Sequence, residues 1–265
     1  MKYKLGFIGC GNMGSALVKA ASKSLSQGEI AVFDKHPEKV NDMVSSYGAV
    51  AVTPEALIES SQFVVLGVKP QAMESTLSTL APLLQAQKDV TVVTMAAGVS
   101  MLAIQQYIGK KVPVIRIMPN TPVTLGEGMI LYTSTDVSKE KISSFTSYFA
   151  KAGIFDYVTE EELDMGGALS GSGPAFVYLF TEALIEGGKA LGLSPSQAEL
   201  YAMQTVKGAA EMMLAYKNPA DLRKAVCSPN GTTLKGIAAM EDAGFSSCVN
   251  AAIQAAYQRT LELKK

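Results

Sequence analysis

Short apolar segments alternate with helical patterns through the first half of the chain. Five of these segments are predicted to be strands, at residues 4–8, 29–33, 63–68, 90–94 and 112–117. The stretches between them carry helix-start signals, among them Pro37, Pro54, Pro70 and Ser100. A strand that is apolar throughout needs cover on both faces, which helices between parallel strands provide. Residues 1–159 are therefore predicted to form an α/β domain with a doubly wound parallel sheet and right-handed crossovers.

The strand signal disappears after about residue 160, and helical patterns take over. Helices are predicted at residues 174–191, 194–216, 219–227 and 232–264. The first of them contains the unbroken apolar run AFVYLF, and a helix without a polar face is normally buried. Four such helices cannot bury it on their own. We therefore predict that residues 160–265 form an all-helical dimerisation domain with this helix in the subunit interface. Burial against the first domain is the alternative.

The composition argues against several classes of partner and site. A net charge of −1 and a pI of about 6.0 indicate no basic face for nucleic acid. The three cysteines include no C-x-x-C pair, which argues against a disulfide framework or a metal site and for a reducing, cytoplasmic compartment. Because His36 is the single histidine, a His-rich metal site or a Ser-His-Asp triad elsewhere in the chain is excluded.

No membrane segment is expected. The apolar run at the N-terminus is short and leads into glycines rather than into a signal-peptide cleavage site. Residues 90–109 carry no charge and are about long enough to span a bilayer. They nevertheless contain Thr91, Gln105, Gln106 and a helix-capping Ser100, so we interpret them as a strand followed by a helix.

A glycine motif follows the first strand and opens the first helix. It consists of Gly9, Cys10, Gly11, Asn12, Met13 and Gly14, and matches G-x-G-x-x-G. In a Rossmann-type domain the glycines permit a tight turn, close approach to a pyrophosphate and close packing of helix on strand. Asp34 lies at the predicted end of the second strand, where an acid accepts hydrogen bonds from the adenosine ribose. The motif predicts dinucleotide binding. A turn needed only for packing is the alternative.

The sequence leaves the choice between NADPH and NADH open. Asp34 should repel a 2′-phosphate, whereas Lys35, His36 and Lys39 would attract one. The lysine-rich run is also what a solvated helix start would look like. We take NADPH as the expected cofactor and NADH as the alternative.

Three further segments follow predicted strands. They are Lys69-Pro70, Ala96-Ala97-Gly98 and the run RIMPNTP at residues 116–122, which includes Asn120. Ligands of open α/β sheets bind at the carboxyl ends of the strands, so these segments are candidates for the side of the site that holds a flat ring. Ordinary turn chemistry is the alternative for each of them.

Two turns in the helical half are rich in hydroxyls and glycine. They cover residues 170–174 and 228–233, and each leads into a predicted helix. Backbone N–H groups and hydroxyls at a helix N-terminus suit an anion such as a substrate carboxylate. Plain helix capping is the alternative.

Taken together, these motifs make the chain resemble pyrroline-5-carboxylate reductase. The resemblance lies in GFIGCGNMG (6–14), VKP (68–70), AAG (96–98), RIMPNTP (116–122), ALSGSGPAF (168–176) and CSPNGTTL (227–234). It implies NAD(P)H-dependent reduction of 1-pyrroline-5-carboxylate to L-proline. It also implies an interlocking homodimer, with dimers sometimes assembled into a larger ring such as a decamer.

The resemblance also implies roles for individual residues. Thr233 would hydrogen-bond the ring nitrogen as the catalytic residue, and Ser228, Gly231 and Thr232 would surround the substrate carboxylate. Glu160 falls where the family can place an acid near the substrate. The nicotinamide side would be lined by Lys69, Pro70, Ala96, Ala97 and Asn120, and the cofactor set also includes Lys35, Val68 and Gly98.

The sequence departs from the family pattern at two places. Asn230 replaces the usual glycine of its turn, and residues 165–167 read Met-Gly-Gly. Neither change removes an implied contact. Asparagine tolerates the left-handed backbone conformation better than most residues, so we expect the turn to keep its shape.

The residues fit imine reduction better than carbonyl reduction. A cyclic imine is readily protonated and needs no strong general acid, whereas a carbonyl substrate usually recruits a His, Lys or Tyr. Another imine or hydroxy-acid dehydrogenase remains an alternative, and predicts a catalytic Lys or His on the first helices of the second domain. A non-catalytic NAD(P)-binding sensor is a second alternative, and predicts loss of the hydroxyl-rich turns.

Overall fold

The computed structural model describes residues 1–264 and divides them into two compact units. The first unit is Met1–Ser172 together with the described residues from Ala256 onward, and the second is Gly173–Ala255. The strands are β1 (Tyr3–Ile8), β2 (Ile30–Phe33), β3 (Val50–Ala51), β4 (Ser61–Leu66), β5 (Thr91–Thr94), β6 (Val114–Met118), β7 (Gly128–Thr135) and β8 (Gly153–Tyr157). The helices between residues 1 and 172 are α1 (Asn12–Ser22), α2 (Pro37–Tyr47), α3 (Pro54–Ser60), α4 (Pro70–Ala86), α5 (Met101–Ile108), α6 (Lys139–Tyr148) and α7 (Glu160–Ser170). Those that follow are α8 (Gly173–Ala190), α9 (Pro195–Tyr216), α10 (Pro219–Val226), α11 (Thr232–Asp242) and α12 (Phe245–Glu262).

The first unit is built on one eight-stranded sheet in the order β3-β2-β1-β4-β5-β6-β7-β8. Every neighbouring pair is parallel except β6 and β7. The prediction of a doubly wound α/β domain is confirmed. The elements β7, α6 and β8 extend the sheet beyond the last strand predicted from the sequence.

The apolar strands are buried on both faces, as their composition requires. In β4, Phe63 and Val65 belong to one core cluster, while Val64 and Leu66 belong to the cluster on the other face. All four side chains are completely buried. The two-sided core fixes the sheet register, because a shift by one residue would exchange these two sets.

Two helical predictions need correction. The single helix predicted at residues 232–264 is two helices, α11 and α12, separated at Gly244, whose φ is +77°. Glycine is favoured where φ is positive, so the chain turns there. The helix α7 was not predicted, although Thr159 and Glu162 form a capping box at its start, with the Glu162 carboxylate accepting from the Thr159 N–H at 2.8 Å.

The helices of the second unit expose much apolar surface in the single chain. None of the eighteen described residues of α8 is buried, and Val177, Tyr178 and Leu179 are about half-exposed or more. By length and composition alone, the stretch Glu160–Ala190 would pass as a helix that can cross a membrane. A surface of this kind is what a subunit interface covers.

Candidate active site

The glycine turn between β1 and α1 depends on close approach of two backbone segments. Gly9 has a φ of +102°, and a Cβ placed on it would lie 2.7 Å from the carbonyl oxygen of Gly67. A Cβ on Gly14 would overlap the carbonyl oxygen of Gly9. The Gly67 N–H donates to the carbonyl of Ile8 at 2.8 Å, which ties the end of β4 to the turn. Gly67 was not among the predicted site residues, because its role depends on a neighbour far along the chain.

Gly11 differs from the other two glycines of the motif. Its φ of −69° is open to any residue, and a Cβ placed on it would have no atom of residues 1–264 within 4 Å. It is the N-cap of α1, and no side chain among the described residues caps that helix. The first N–H groups of α1 therefore have no side-chain partner among the described residues. This arrangement fits the pyrophosphate of a dinucleotide.

Asp34 is joined to the same turn. Its Oδ2 accepts a hydrogen bond from the Cys10 N–H at 2.7 Å, and its Oδ1 accepts one from the His36 N–H at 2.9 Å. The carboxylate therefore lies beside the glycine turn, as predicted from its position after the second strand. Lys35 is exposed next to it.

An apolar cleft opens at the ends of the first two strands. It has a volume of about 340 Å³ and is lined by Ile8, Phe33, Pro54, Ser75, Thr76, Thr79 and Leu80. Ile8 and Phe33 directly precede Gly9 and Asp34. A flat, mostly apolar ring such as adenine fits a cleft of this lining.

Cys10 is buried inside the glycine turn. Burial raises the pKa of its thiol to about 11, and the neighbouring Asp34 carboxylate raises it further than Lys39 lowers it. We predict that iodoacetamide does not alkylate Cys10 in the native protein at about pH 8, because almost no thiolate forms there. In guanidinium chloride, alkylation should be complete. Peptide mass spectrometry would measure both, and native labelling of Cys10 as fast as that of the half-buried Cys227 would contradict the prediction.

The other predicted cofactor residues lie at the carboxyl ends of β4, β5 and β6. Val68 and Lys69 lead into α4, with Lys69 as its N-cap and Pro70 as its first residue. Ala96, Ala97 and Gly98 follow β5, and Gly98 has a φ of +73°. Because the three strands are parallel, these segments share one edge of the sheet.

Asn120 is held by bonds at both ends of its side chain. Its Nδ2 donates to the carbonyl of Ser170 at 3.0 Å, and its Oδ1 accepts from the Met129 N–H at 2.9 Å. The residue is buried. It thus joins the end of β6 to β7 and α7, which gives it a positioning role in the fold.

Glu160 belongs to a charge cluster with a buried centre, which the sequence did not reveal. Its Oε1 is 3.0 Å from Nη1 of Arg116 and accepts the Met101 N–H at 2.8 Å. Nη2 of Arg116 is 2.6 Å from Oδ1 of Asp164, and Nζ of Lys264 is 3.0 Å from the other oxygen of that carboxylate. Arg116 and Asp164 are almost completely buried. We refer to Arg116, Glu160, Asp164 and Lys264 as the Arg116 cluster, which lines a cavity of about 390 Å³.

In the second unit, the turn at residues 228–233 is closed tightly. The Gly231 N–H donates to the carbonyl of Ser228 at 3.0 Å, and a Cβ on Gly231 would overlap the Ser228 hydroxyl. Asn230 has a φ of +57°, which confirms that it supports the left-handed conformation. Thr232 and Thr233 are the exposed first two residues of α11. No side chain of the described residues caps this helix, so its first N–H groups and two hydroxyls lie together.

Both the N-terminal and the C-terminal part of the chain match known protein families. The family model described as pyrroline-5-carboxylate reductase dimerisation matches residues 160–263, and the one described as NADP oxidoreductase coenzyme F420-dependent matches residues 4–98. A pyrroline-5-carboxylate reductase from Pseudomonas aeruginosa is 35% identical, with 98% of this chain and 96% of that protein covered. The chain belongs to the pyrroline-5-carboxylate reductase family. The resemblance inferred from the motifs is thereby confirmed.

Further members of the family match the chain from end to end. The pyrroline-5-carboxylate reductase of Escherichia coli is 33% identical over the whole of both chains. The solved structure of a pyrroline-5-carboxylate reductase from Coxiella burnetii covers both chains fully, with a TM-score of 0.88 and 31% identity. A pyrroline carboxylate reductase from Plasmodium falciparum, solved with NADP bound, has a TM-score of 0.90 and 28% identity over both full chains. The Rossmann-type fold with a helical dimerisation region is therefore that of the reductase family.

Proposed function

We propose that this reductase-family chain reduces the C=N bond of 1-pyrroline-5-carboxylate to give L-proline, with NAD(P)H as the reductant. The proposal rests above all on the match with pyrroline-5-carboxylate reductases over the full chain. The structure adds an unobstructed backbone at Gly11 and an uncapped, hydroxyl-rich helix start at Thr232 and Thr233. These are two sites of the kinds that a dinucleotide and a carboxylate substrate need.

The cofactor side of the site is assigned to the first unit. The turn Gly9, Cys10, Gly11, Asn12, Met13 and Gly14 holds the pyrophosphate, and Asp34 with Lys35 holds the adenosine ribose. The nicotinamide would be held by Val68, Lys69, Pro70, Ala96, Ala97 and Gly98, with Asn120 on the same side of the site and fixed by its bonds to Ser170 and Met129. When bound, the reduced nicotinamide supplies a hydride to the imine carbon. The chain itself orients the ring and keeps the phosphates on the N-terminus of α1.

The substrate side is assigned to the turn before α11. The Thr233 hydroxyl hydrogen-bonds the ring nitrogen, and Ser228, Gly231 and Thr232 surround the carboxylate. The positive end of the helix dipole favours that anion. Because the imine nitrogen is readily protonated, positioning by a hydroxyl suffices and no strong acid is needed.

Glu160 is assigned to the substrate side, as an acid near the substrate. Its Oε1 is shared by the Arg116 guanidinium and the Met101 N–H, at the start of α5. The N-cap of that helix, Ser100, lies two residues after Gly98. The carboxylate thus also anchors the helix that follows the segment assigned to the nicotinamide.

The assigned role of Thr233 predicts a loss of turnover on substitution. Thr233→Ala should lower kcat/KM for 1-pyrroline-5-carboxylate by about 10- to 100-fold, the loss expected for one hydrogen bond in a desolvated site. Thr233→Ser keeps the hydroxyl and should retain most of the activity. Steady-state kinetics would measure both, and full activity of Thr233→Ala would remove the assigned role.

Assembly is the second part of the proposal. The apolar surface of α8, including Val177, Tyr178 and Leu179, is covered by a second copy of the chain, so that a homodimer is the unit of a cytoplasmic enzyme. A decamer built from five such dimers is the larger assembly that we expect. Neither a membrane nor a nucleic acid is then a partner. Analytical ultracentrifugation without detergent tests this, and a soluble monomer or a need for detergent would contradict it.

A single assay separates the proposed activity from its rivals. We expect oxidation of NADH or NADPH, followed by loss of nicotinamide absorbance, to depend on added 1-pyrroline-5-carboxylate and to yield proline. A hydroxy-acid dehydrogenase would instead require a keto acid. A sensor would bind the dinucleotide without consuming it. No oxidation with either dinucleotide would overturn the proposed function.

A further inference from the structure

The carboxylate of Asp34 is held in one orientation by backbone groups on either side. Phe33, the residue before it, pairs with Ile8 of β1, so Asp34 lies level with the glycine turn. Its Oδ2 takes the Cys10 N–H at 2.7 Å and its Oδ1 takes the His36 N–H at 2.9 Å. A carboxylate that bridges two backbone segments in this way does not swing away from an approaching ligand.

The Asp34 carboxylate can still accept hydrogen bonds from a ligand, but it cannot donate any. An ionised carboxylate has about four acceptor positions and no donor. Cys10 and His36 occupy two of them, and the others can accept from hydroxyl groups. A ribose 2′-hydroxyl has a proton to donate there, whereas a 2′-phosphate brings further acceptors and negative charge.

The neighbouring cations do not offset this charge. The segment 34–39 contains two lysines, two acids and His36 but no arginine, the side chain that grips a phosphate with two parallel hydrogen bonds. Lys35 and Lys39 are exposed, where solvent and salt screen their charges. His36 lies 3.6 Å from the Glu38 carboxylate. After burial, Asp34 is the strongest influence on the pKa of the Cys10 thiol, ahead of Lys39.

We propose that Asp34 selects the unphosphorylated dinucleotide, so that this enzyme binds NADH more tightly than NADPH. The inference rests on the proposed function, since it presupposes that the glycine turn holds a dinucleotide. It reverses the expectation of NADPH drawn from the sequence and adds a direction of cofactor preference, which membership of the family leaves open.

Calorimetric titration of the intact protein with NAD⁺ and NADP⁺ tests the proposal without any turnover. Wild type should bind NAD⁺ at least about tenfold more tightly than NADP⁺, and Asp34→Ser should bring the ratio close to one. Asp42→Asn is the matched control, because it removes the same charge from an exposed position eight residues away. It should leave the ratio within about twofold of wild type.

The outcomes distinguish the cofactor selectivity from dinucleotide binding itself. Equal affinities in wild type, or an unchanged ratio in Asp34→Ser, overturn the selectivity and leave dinucleotide binding in place. Failure of wild type to bind either dinucleotide overturns the proposed function as well. If Asp34→Ser does not unfold cooperatively on heating, Asp34→Asn takes its place, because the amide oxygen keeps an acceptor for one of the two N–H groups.

Discussion

Gly11→Ala should weaken dinucleotide binding by about 100-fold, or about 2.8 kcal/mol, while leaving the fold intact. The added methyl group meets no atom of the described chain, so it strains nothing within the protein. It does fill the space through which a pyrophosphate approaches the backbone and the N-terminus of α1. Calorimetric titration measures the affinity. The free energy of unfolding, measured with a denaturant, should change by less than about 1 kcal/mol.

Gly14→Ala provides the contrast to this variant. Its methyl group would overlap the carbonyl oxygen of Gly9, so that substitution should lower both stability and affinity. Within one motif, Gly11 is thus expected to be needed for the ligand, whereas Gly14 is needed for packing of the protein itself. A Gly11→Ala protein that binds as tightly as wild type would show that the open space at this turn does not hold the cofactor.

Asp164→Ala should destabilise the first unit by about 3–5 kcal/mol. Asp164 is buried against the Arg116 guanidinium, and its removal leaves that cation partly unpaired in the core. Removing one partner of a buried ion pair is expensive because the other charge stays desolvated. Urea unfolding at fixed protein concentration measures the loss.

The chain supplies a surface ion pair as a control. Nζ of Lys111 is 3.0 Å from Oδ1 of Asp136, but the lysine side chain is largely exposed. Lys111→Ala, which removes the pair from its exposed side, should therefore cost less than about 1 kcal/mol. If Asp164→Ala proves no more harmful than Lys111→Ala, the Arg116 cluster does not stabilise the first unit. Asp164→Asn, which keeps the side-chain volume, covers the case in which the alanine variant does not fold.

Local patterns predict most of the parallel sheet. The β4 strand is apolar at successive positions, and this composition alone indicates a parallel strand buried on both faces. The glycine turn follows from spacing and context, since its residues lie within six positions of one another. The helix α7 was also predictable, because the capping box at Thr159 and Glu162 is a local signal.

Contacts between distant residues explain what the sequence did not reveal. Gly67 supports Gly9 across the sheet, and Arg116 meets Asp164 48 positions along the chain. In neither case do the neighbouring residues in the sequence indicate which distant residue is the partner. The break between α11 and α12 depends on Gly244 alone, and a single glycine within an apolar helical pattern is a weak signal.

The proposed reaction requires that a reduced nicotinamide bound at the glycine turn meets an imine acid bound at residues 228–233 of the same or a second subunit. A crystal structure of the protein with NADH and L-proline, the product standing in for the imine, measures it most directly. We predict the nicotinamide C4 at about 3.5 Å from the ring of the bound amino acid, with Thr233 of one subunit bonded to the ring nitrogen. A proline bound elsewhere, with C4 distant from residues 228–233 of every subunit, would contradict the account.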